Sequence, residues 1–128
     1  MRGVVDASAV MALMLGEPGA EAVLAVVRRS LMSAVNVSEC CARGVERQSS
    51  VRQVLEIIRG YDVVVVPFDL DDALAAGRPR ASTRSIGASL GDRACLALGQ
   101  RHRLTVFTGD RRLAEIDPAL GIDVRLIR

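Results

Sequence analysis

The chain of 128 residues contains no lysine; all 17 of its basic residues are arginine. That absence removes whole chemistries, because a P-loop, a Schiff base and a Ser-Lys dyad each need a lysine amine. Histidine is almost as scarce. With His102 alone, one chain cannot build a multi-histidine zinc site. There is no tryptophan, one tyrosine and two phenylalanines, so the core has to be aliphatic. No apolar run approaches the ~18 residues that a membrane span requires. Asp6 breaks the first apolar run where a secretory h-region would sit, so no signal peptide is expected. Cys40, Cys41 and Cys95 are odd in number, two are adjacent, and none shows metal-type spacing. They read as reduced, mostly buried small hydrophobes of a cytoplasmic protein.

What remains is half apolar, with a mild net charge of +2. That suffices for one domain over residues 1–128 with its own core. Arginine can grip phosphate in a bidentate way, but this charge balance alone does not require a nucleic-acid partner. If the chain binds a metal, carboxylates must hold it, and carboxylates favour hard ions such as Mg²⁺ or Mn²⁺.

Strand and helix signals alternate along the chain. "GVVD" reads as a short strand ending at Asp6, and "ASAVMALMLG" as a helix stopping near Gly16. Pro18 opens an expected helix, "PGAEAVLAVVRR", with Arg28 and Arg29 in its last turn. Its Val23, Leu24 and Val27 read as core. "LMSAVNV" reads as a second strand, followed by a helix with Asn36 as its cap. "SVRQVLEIIRG" is another helix. "DVVVVPF" is a β-branched run of the kind covered on both faces of a sheet. "DLDDALAAGR" is a helix started by its acids, and residues 79–90 form an expected mobile loop. "DRACLALGQRH" (helix), "LTVFT" (strand), "RRLAEI" (short helix) and "IDVRLI" (strand) complete the pattern. Asp117 before Pro118 marks a turn, and His102 a helix end. The alternation predicts an α/β sandwich with a largely parallel central sheet of about five strands.

The stretch from Gly91 to Asp110 begins and ends with Gly-Asp. Its helix rises ~1.5 Å per residue over eleven positions, roughly 16 Å. Its strand advances ~3.3 Å per residue over five, again roughly 16 Å. The chain thus goes out and returns, bringing Asp92 and Asp110 to one end of the domain. That end is the carboxyl edge of the strands, where open α/β sheets place their sites. Asp6 follows a strand onto the same edge, and Glu39 lies early in the helix after "SAVNV". Asp6, Glu39, Asp92 and Asp110 are therefore candidates for one carboxylate cluster. Each also has a plainer reading as a helix cap, with Asn36 and Glu39 resembling a capping box. Two carboxylates ~5 Å apart repel by about 3 kcal/mol at an effective dielectric of 20, so a gathered set calls for a cation.

In order and spacing, "VVDASA", "NVSE", "SLGDRACLALG" and "TVFTGDRRLAEI" resemble the PIN-domain ribonucleases, above all the VapC-type toxins of toxin–antitoxin pairs. The resemblance runs over essentially the whole chain. It implies a PIN-like three-layer α/β/α sandwich and an endoribonuclease dependent on Mg²⁺ or Mn²⁺, cutting RNA to leave a 5′-phosphate, with tRNA or rRNA as typical targets. It also implies a cognate antitoxin that covers the site, and a homodimer. Asp6, Glu39, Asp92 and Asp110 match the family's acidic positions, with Asp6 and Asp92 as main metal ligands and Glu39 and Asp110 completing the shell. Ser8 and Thr108 match its supporting hydroxyls. Where many relatives carry an aromatic after the last Asp, this chain has Leu113. Arg93 and Arg111 each follow a cluster acid and are candidates to touch phosphate or to balance charge. Arg78, Arg80 and Arg84, in or beside the loop, are candidates to track an RNA backbone. Three rivals stand beside this reading. A signalling receiver domain needs a lysine that is missing here; the others are a PIN-like RNA- or partner-binding module that does not cut, and a housekeeping nuclease without an antitoxin.

Overall fold

In the computed structural model, which describes residues 2–128, five short strands form one sheet. They are β1 (Val4–Val5), β2 (Leu31–Ser33), β3 (Val64–Val66), β4 (Val106–Thr108) and β5 (Val124–Leu126), in the order β3-β2-β1-β4-β5. All four pairings are parallel, with Val4 opposite both Leu31 and Val106, Ser33 opposite Val66, and Thr108 opposite Leu126. The strand alternation sends neighbours to opposite faces. Val5, Met32 and Phe107 pack into one core with α1 (Ala7–Leu15), α2 (Ala20–Leu24), α3 (Ala34–Glu46) and α4 (Val51–Gly60). Val4, Leu31 and Val106 pack on the other face against Cys95 and Leu98 of α7 (Leu90–His102). Outside α7 lies α5 (Leu70–Gly77). The three-layer sandwich with a parallel five-stranded sheet is therefore as expected from the sequence. No helix among the described residues is long and apolar enough to cross a membrane.

Several local expectations are corrected. The apolar alternation of "LMSAVNV" suggested one strand, but β2 stops at Ser33. Its hydroxyl accepts from the Val35 N–H at 3.2 Å and caps α3. The residues beyond it then bury on a helical period, Asn36, Cys40 and Gly44. Asn36 is thus inside the helix and is not its cap. The helix expected from Pro18 to Arg29 is only α2, with Gly19 before it, and Arg28 and Arg29 lie beyond its end. Arg29 adopts a left-handed φ of 64° in the turn that leads to β2. Val23 and Val27 are core, whereas Leu24 is 58% exposed. The β-branched run of "DVVVVPF" is an edge strand and not a doubly covered one, with Val64 43% exposed. The segment 79–90 is not loop throughout, since it holds α6 (Arg80–Thr83) and a 3₁₀ turn (Arg84–Ile86). The buried Thr83 hydroxyl ties that segment back by donating to the Pro79 carbonyl at 2.7 Å.

Other signals hold. Asp69 caps α5 and Asp72 returns the bond, a complete capping box. Asp117 caps a 3₁₀ turn over Pro118–Leu120. His102 ends α7 on the surface. All three cysteines are free, with Cys40 and Cys95 buried.

Candidate active site

The strand order places a topological switch between β1 and β4: the chain winds from β1 outward to β3, then returns to the far side of β1. Ligands of open α/β sheets bind outside the carboxyl ends of the strands at such a point. Asp6 leaves β1 there, and Thr108, Gly109 and Asp110 leave β4 beside it.

Asp6 is the centre of the arrangement and only 5% exposed. One carboxylate oxygen accepts from the Ala9 N–H at 2.9 Å, capping α1, and from the Ser8 hydroxyl at 2.6 Å. The other accepts from the Thr108 hydroxyl. These two hydroxyls are themselves seated. Ser8 Oγ accepts from the Gly109 N–H at 2.8 Å, and Thr108 Oγ1 from the Asp110 N–H at 3.0 Å. The hydroxyls matched by the sequence therefore orient Asp6 and stitch it to the turn after β4. Burial pushes the Asp6 pKa above its ordinary 3.8; the hydrogen bonds from Ser8, Thr108 and Ala9 pull the other way, and the negative charge of Asp92 adds to the rise.

Asp92 lies one turn into α7, which begins at Leu90 and not at Asp92. It accepts from the Ser89 N–H at 2.9 Å while Ser89 Oγ accepts from the Asp92 N–H at 3.1 Å. Capping thus does not take these acids out of consideration: Asp6 caps α1, Asp92 closes the capping box of α7 and Asp110 caps the 3₁₀ turn after β4. Glu39 does not cap. Its carboxylate rests against Gly91 and accepts from Asn36 Nδ2 at 2.7 Å. Asn36 Nδ2 also donates to the Gly91 carbonyl at 3.2 Å, joining α3 to α7. Asn36, 1% exposed, leaves its Oδ1 without a partner. A buried acceptor in that state costs about 1–3 kcal/mol.

The thiol pKa of the buried Cys95 is driven well up, first by burial and then by the charges of Asp6, Asp92 and Glu39. Cys40 is pushed up to about 12, chiefly by burial, with Cys41, Glu39 and Asp6 contributing. Neither thiol is poised as a nucleophile.

Asp110 carries a basic partner, which Asp6, Glu39 and Asp92 lack among the described residues. It caps the 3₁₀ turn Arg111–Glu115 and forms an ion pair with Arg112, Nη2 to Oδ2 at 2.7 Å and Nε to Oδ1 at 3.2 Å. The Arg112 hydrogen bond holds the Asp110 carboxyl below its usual range. Arg112 Nη1 also donates to the Ile86 carbonyl at 3.3 Å, tying the segment before α7 to the site. Sequence reasoning singled out Arg111, which is exposed. The Arg112 pairing was foreshadowed only by its i+2 spacing from Asp110. Arg93 donates to the Ala76 carbonyl at 3.0 Å and so holds the end of α5. Arg80 and Arg84 are exposed. Arg128, also unforeseen, lays its guanidinium over Gly109 and donates to the Pro18 carbonyl at 2.9 Å.

The donor set suits a hard cation: carboxylate oxygens only, with Asp6, Glu39 and Asp92 unpaired to any arginine among the described residues. The side chains are not drawn into a closed cage. Among the described residues, no three His, Cys, Asp or Glu side chains stand together closely enough to hold a metal ion.

Comparisons with known proteins agree with this architecture. The PIN domain family profile matches residues 3–118. Ribonuclease VapC42 of Mycobacterium tuberculosis is 32% identical over 129 aligned positions, covering 95% of this chain and 96% of the relative. A toxin–antitoxin complex from Klebsiella pneumoniae superposes with a TM-score of 0.74 at 19% identity, covering 98% of each chain. DNA-bound VapBC from Salmonella typhimurium superposes with a TM-score of 0.73 at 19% identity, covering 100% of this chain and 99% of that one. The family match, the relative's identity and the fold thus converge, and the chain belongs to the PIN-domain family, in its VapC branch.

Proposed function

We propose that this chain is a divalent-metal-dependent endoribonuclease, the toxin of a toxin–antitoxin pair. The observation that carries the proposal is that Asp6, buried at the switch point and exposed to the charge of Asp92, Glu39, set against Gly91 at the start of the same helix as Asp92, and Asp92 itself all lack an arginine partner among the described residues of a chain with 17 arginines. Such a set is unfavourable unless a cation joins it. Asp6 and Asp92 would be the principal ligands of Mg²⁺ or Mn²⁺, with Glu39 beside them and Asp110 completing the shell once free of Arg112. When bound, such an ion activates water and stabilises charge developing on phosphate. The chain's own residues do the rest. Ser8 and Thr108 hold the buried Asp6 carboxylate in one orientation, and Ser89 does the same for Asp92. The exposed Arg80, Arg84 and Arg111 supply positive charge for an RNA backbone. The likeness to solved toxin–antitoxin complexes supports a protein antitoxin as partner, and by the same likeness we propose a homodimer, tRNA or rRNA as target, and a cytoplasmic setting.

The test is RNA cleavage by the purified chain with Mg²⁺ or Mn²⁺, with EDTA, and with Asp92→Asn. Asparagine can still accept the Ser89 N–H but carries no charge. Metal-dependent cleavage that disappears in the variant supports the proposal. Equal cleavage by variant and wild type overturns the assignment of Asp92. Binding of RNA by all samples with no cleavage would favour a non-cutting module, the reading to which Arg112 over Asp110 lends support.

A further inference from the structure

Glu39 is the one cluster acid whose position owes nothing to capping. It is exposed, on a flexible side chain, yet its carboxylate is set down at one place. Two features make that place. Gly91 has no side chain, and a Cβ there would collide with both Glu39 carboxylate oxygens. Asn36 stands one helical turn before Glu39 on the same face and donates through Nδ2 both to Glu39 Oε1 and to the Gly91 carbonyl. Both partners of that nitrogen are acceptors, which fixes the amide's orientation and identifies Oδ1 as the orphan. A leucine would fill this almost fully buried position without an unsatisfied oxygen. The asparagine is therefore poorly explained by stability and well explained by what its amide nitrogen holds.

We infer that Asn36 and Gly91 form a seat that positions Glu39 for a divalent cation, Asn36 acting as a positioning residue and Gly91 as the space the carboxylate needs. The inference rests on the metal-dependent reading above and deepens it. Supporting partners of this kind change metal affinity or activity by about 10–100-fold.

The experiment titrates Mn²⁺ into the full chain, followed by electron paramagnetic resonance, for wild type, Asn36→Leu and Gly91→Ala, with thermal unfolding of each in EDTA. Asn36→Leu removes the donor and the orphan together. Gly91→Ala evicts Glu39 at little structural cost, because the colliding atoms are the far end of a flexible side chain and alanine is the better helix former. Both variants are expected to bind Mn²⁺ roughly ten-fold more weakly, while their metal-free melting temperatures stay level with wild type or rise. In the cleavage assay the loss falls on kcat and not on KM for RNA. Wild-type affinity in both variants overturns the inference and leaves the metal-dependent reading standing. Wild type that binds no Mn²⁺ overturns both. Should Asn36→Leu fail to fold, Gly91→Ala decides alone: weakened Mn²⁺ binding supports the seat, and unchanged binding refutes it.

Discussion

Thr108→Val isolates the hydroxyl that holds the buried carboxylate. Thr108 is fully buried, its hydroxyl donates to Asp6, and it accepts the Asp110 N–H. Valine keeps the shape and removes the bond. A hydrogen bond to a charged group contributes about 1.5–3 kcal/mol. The Asp110 N–H is only part-buried and can turn to water, so its loss adds little. Unfolding entropy near 2.1 cal/mol/K per residue gives about 270 cal/mol/K for this chain, so 1 kcal/mol moves Tm by about 4 °C. The metal-free variant should therefore melt about 6–11 °C lower at neutral pH. The pH dependence carries the sharper test. Asp6 has a folded pKa above its ordinary 3.8. Its contribution to stability is thus fully present below the unfolded value and is lost as pH rises through the folded value. Removing the Thr108 donor raises the folded pKa further, so more stability is lost on ionisation. Once Asp6 is protonated, only a neutral hydrogen bond of about 0.5–1.5 kcal/mol separates the two proteins. Differential scanning calorimetry in EDTA from pH 8 downward should show the gap between wild type and variant narrowing, and Thr108→Ser should close it at every pH. A gap that stays constant with pH would refute the claim that Thr108 acts on the Asp6 charge.

Three further outcomes follow from the same geometry. Asp6→Asn removes a buried charge and its repulsion with Asp92, so the metal-free protein should gain about 0.5–2 kcal/mol, seen as a raised Tm, while Mn²⁺-dependent RNA cleavage is abolished; a lowered Tm would contradict the desolvation argument. Arg112→Ala breaks a pair whose arginine side chain is 56% exposed, and such pairs contribute about 0–1 kcal/mol. Tm should barely move, whereas Mn²⁺ affinity should change as Asp110 is released, and the Asp110 pKa followed by NMR should rise toward its ordinary value. Mass spectrometry of native protein treated with iodoacetamide near neutral pH should find Cys41 modified and Cys40 and Cys95 intact, because the latter two are buried with thiols pushed well up.

The layer order and the site edge were legible because they rest on period and length. Strand and helix signals alternate, and an outward helix matched by an inward strand must bring Asp92 and Asp110 to one end. Asp6 could be placed because it stands where β1 passes into α1, and Asp92 because it lies in the first turn of the helix that runs away from that edge. The failures share a different cause. "LMSAVNV" alternates as a strand should, and only the Ser33 cap and the burial of Asn36, Cys40 and Gly44 on α3 show that tertiary packing wins. The run at Val64 reads as doubly covered, but whether a strand lies at an edge depends on sheet order, which no local pattern encodes. The same holds within the site. Glu39 was named as one candidate among four acids, while the Asn36–Gly91 contact beside it was not foreseen, since it spans 55 positions and exists only once α3 and α7 meet. Asp110 was assigned to the cluster by its position after β4, yet the rotamer chosen by Arg112 two residues on decides whether its carboxylate is available. Sequence thus locates charges on an edge. Which of those charges can act together is decided by the neutral amide and the competing guanidinium placed against them, and those partners become visible only in three dimensions.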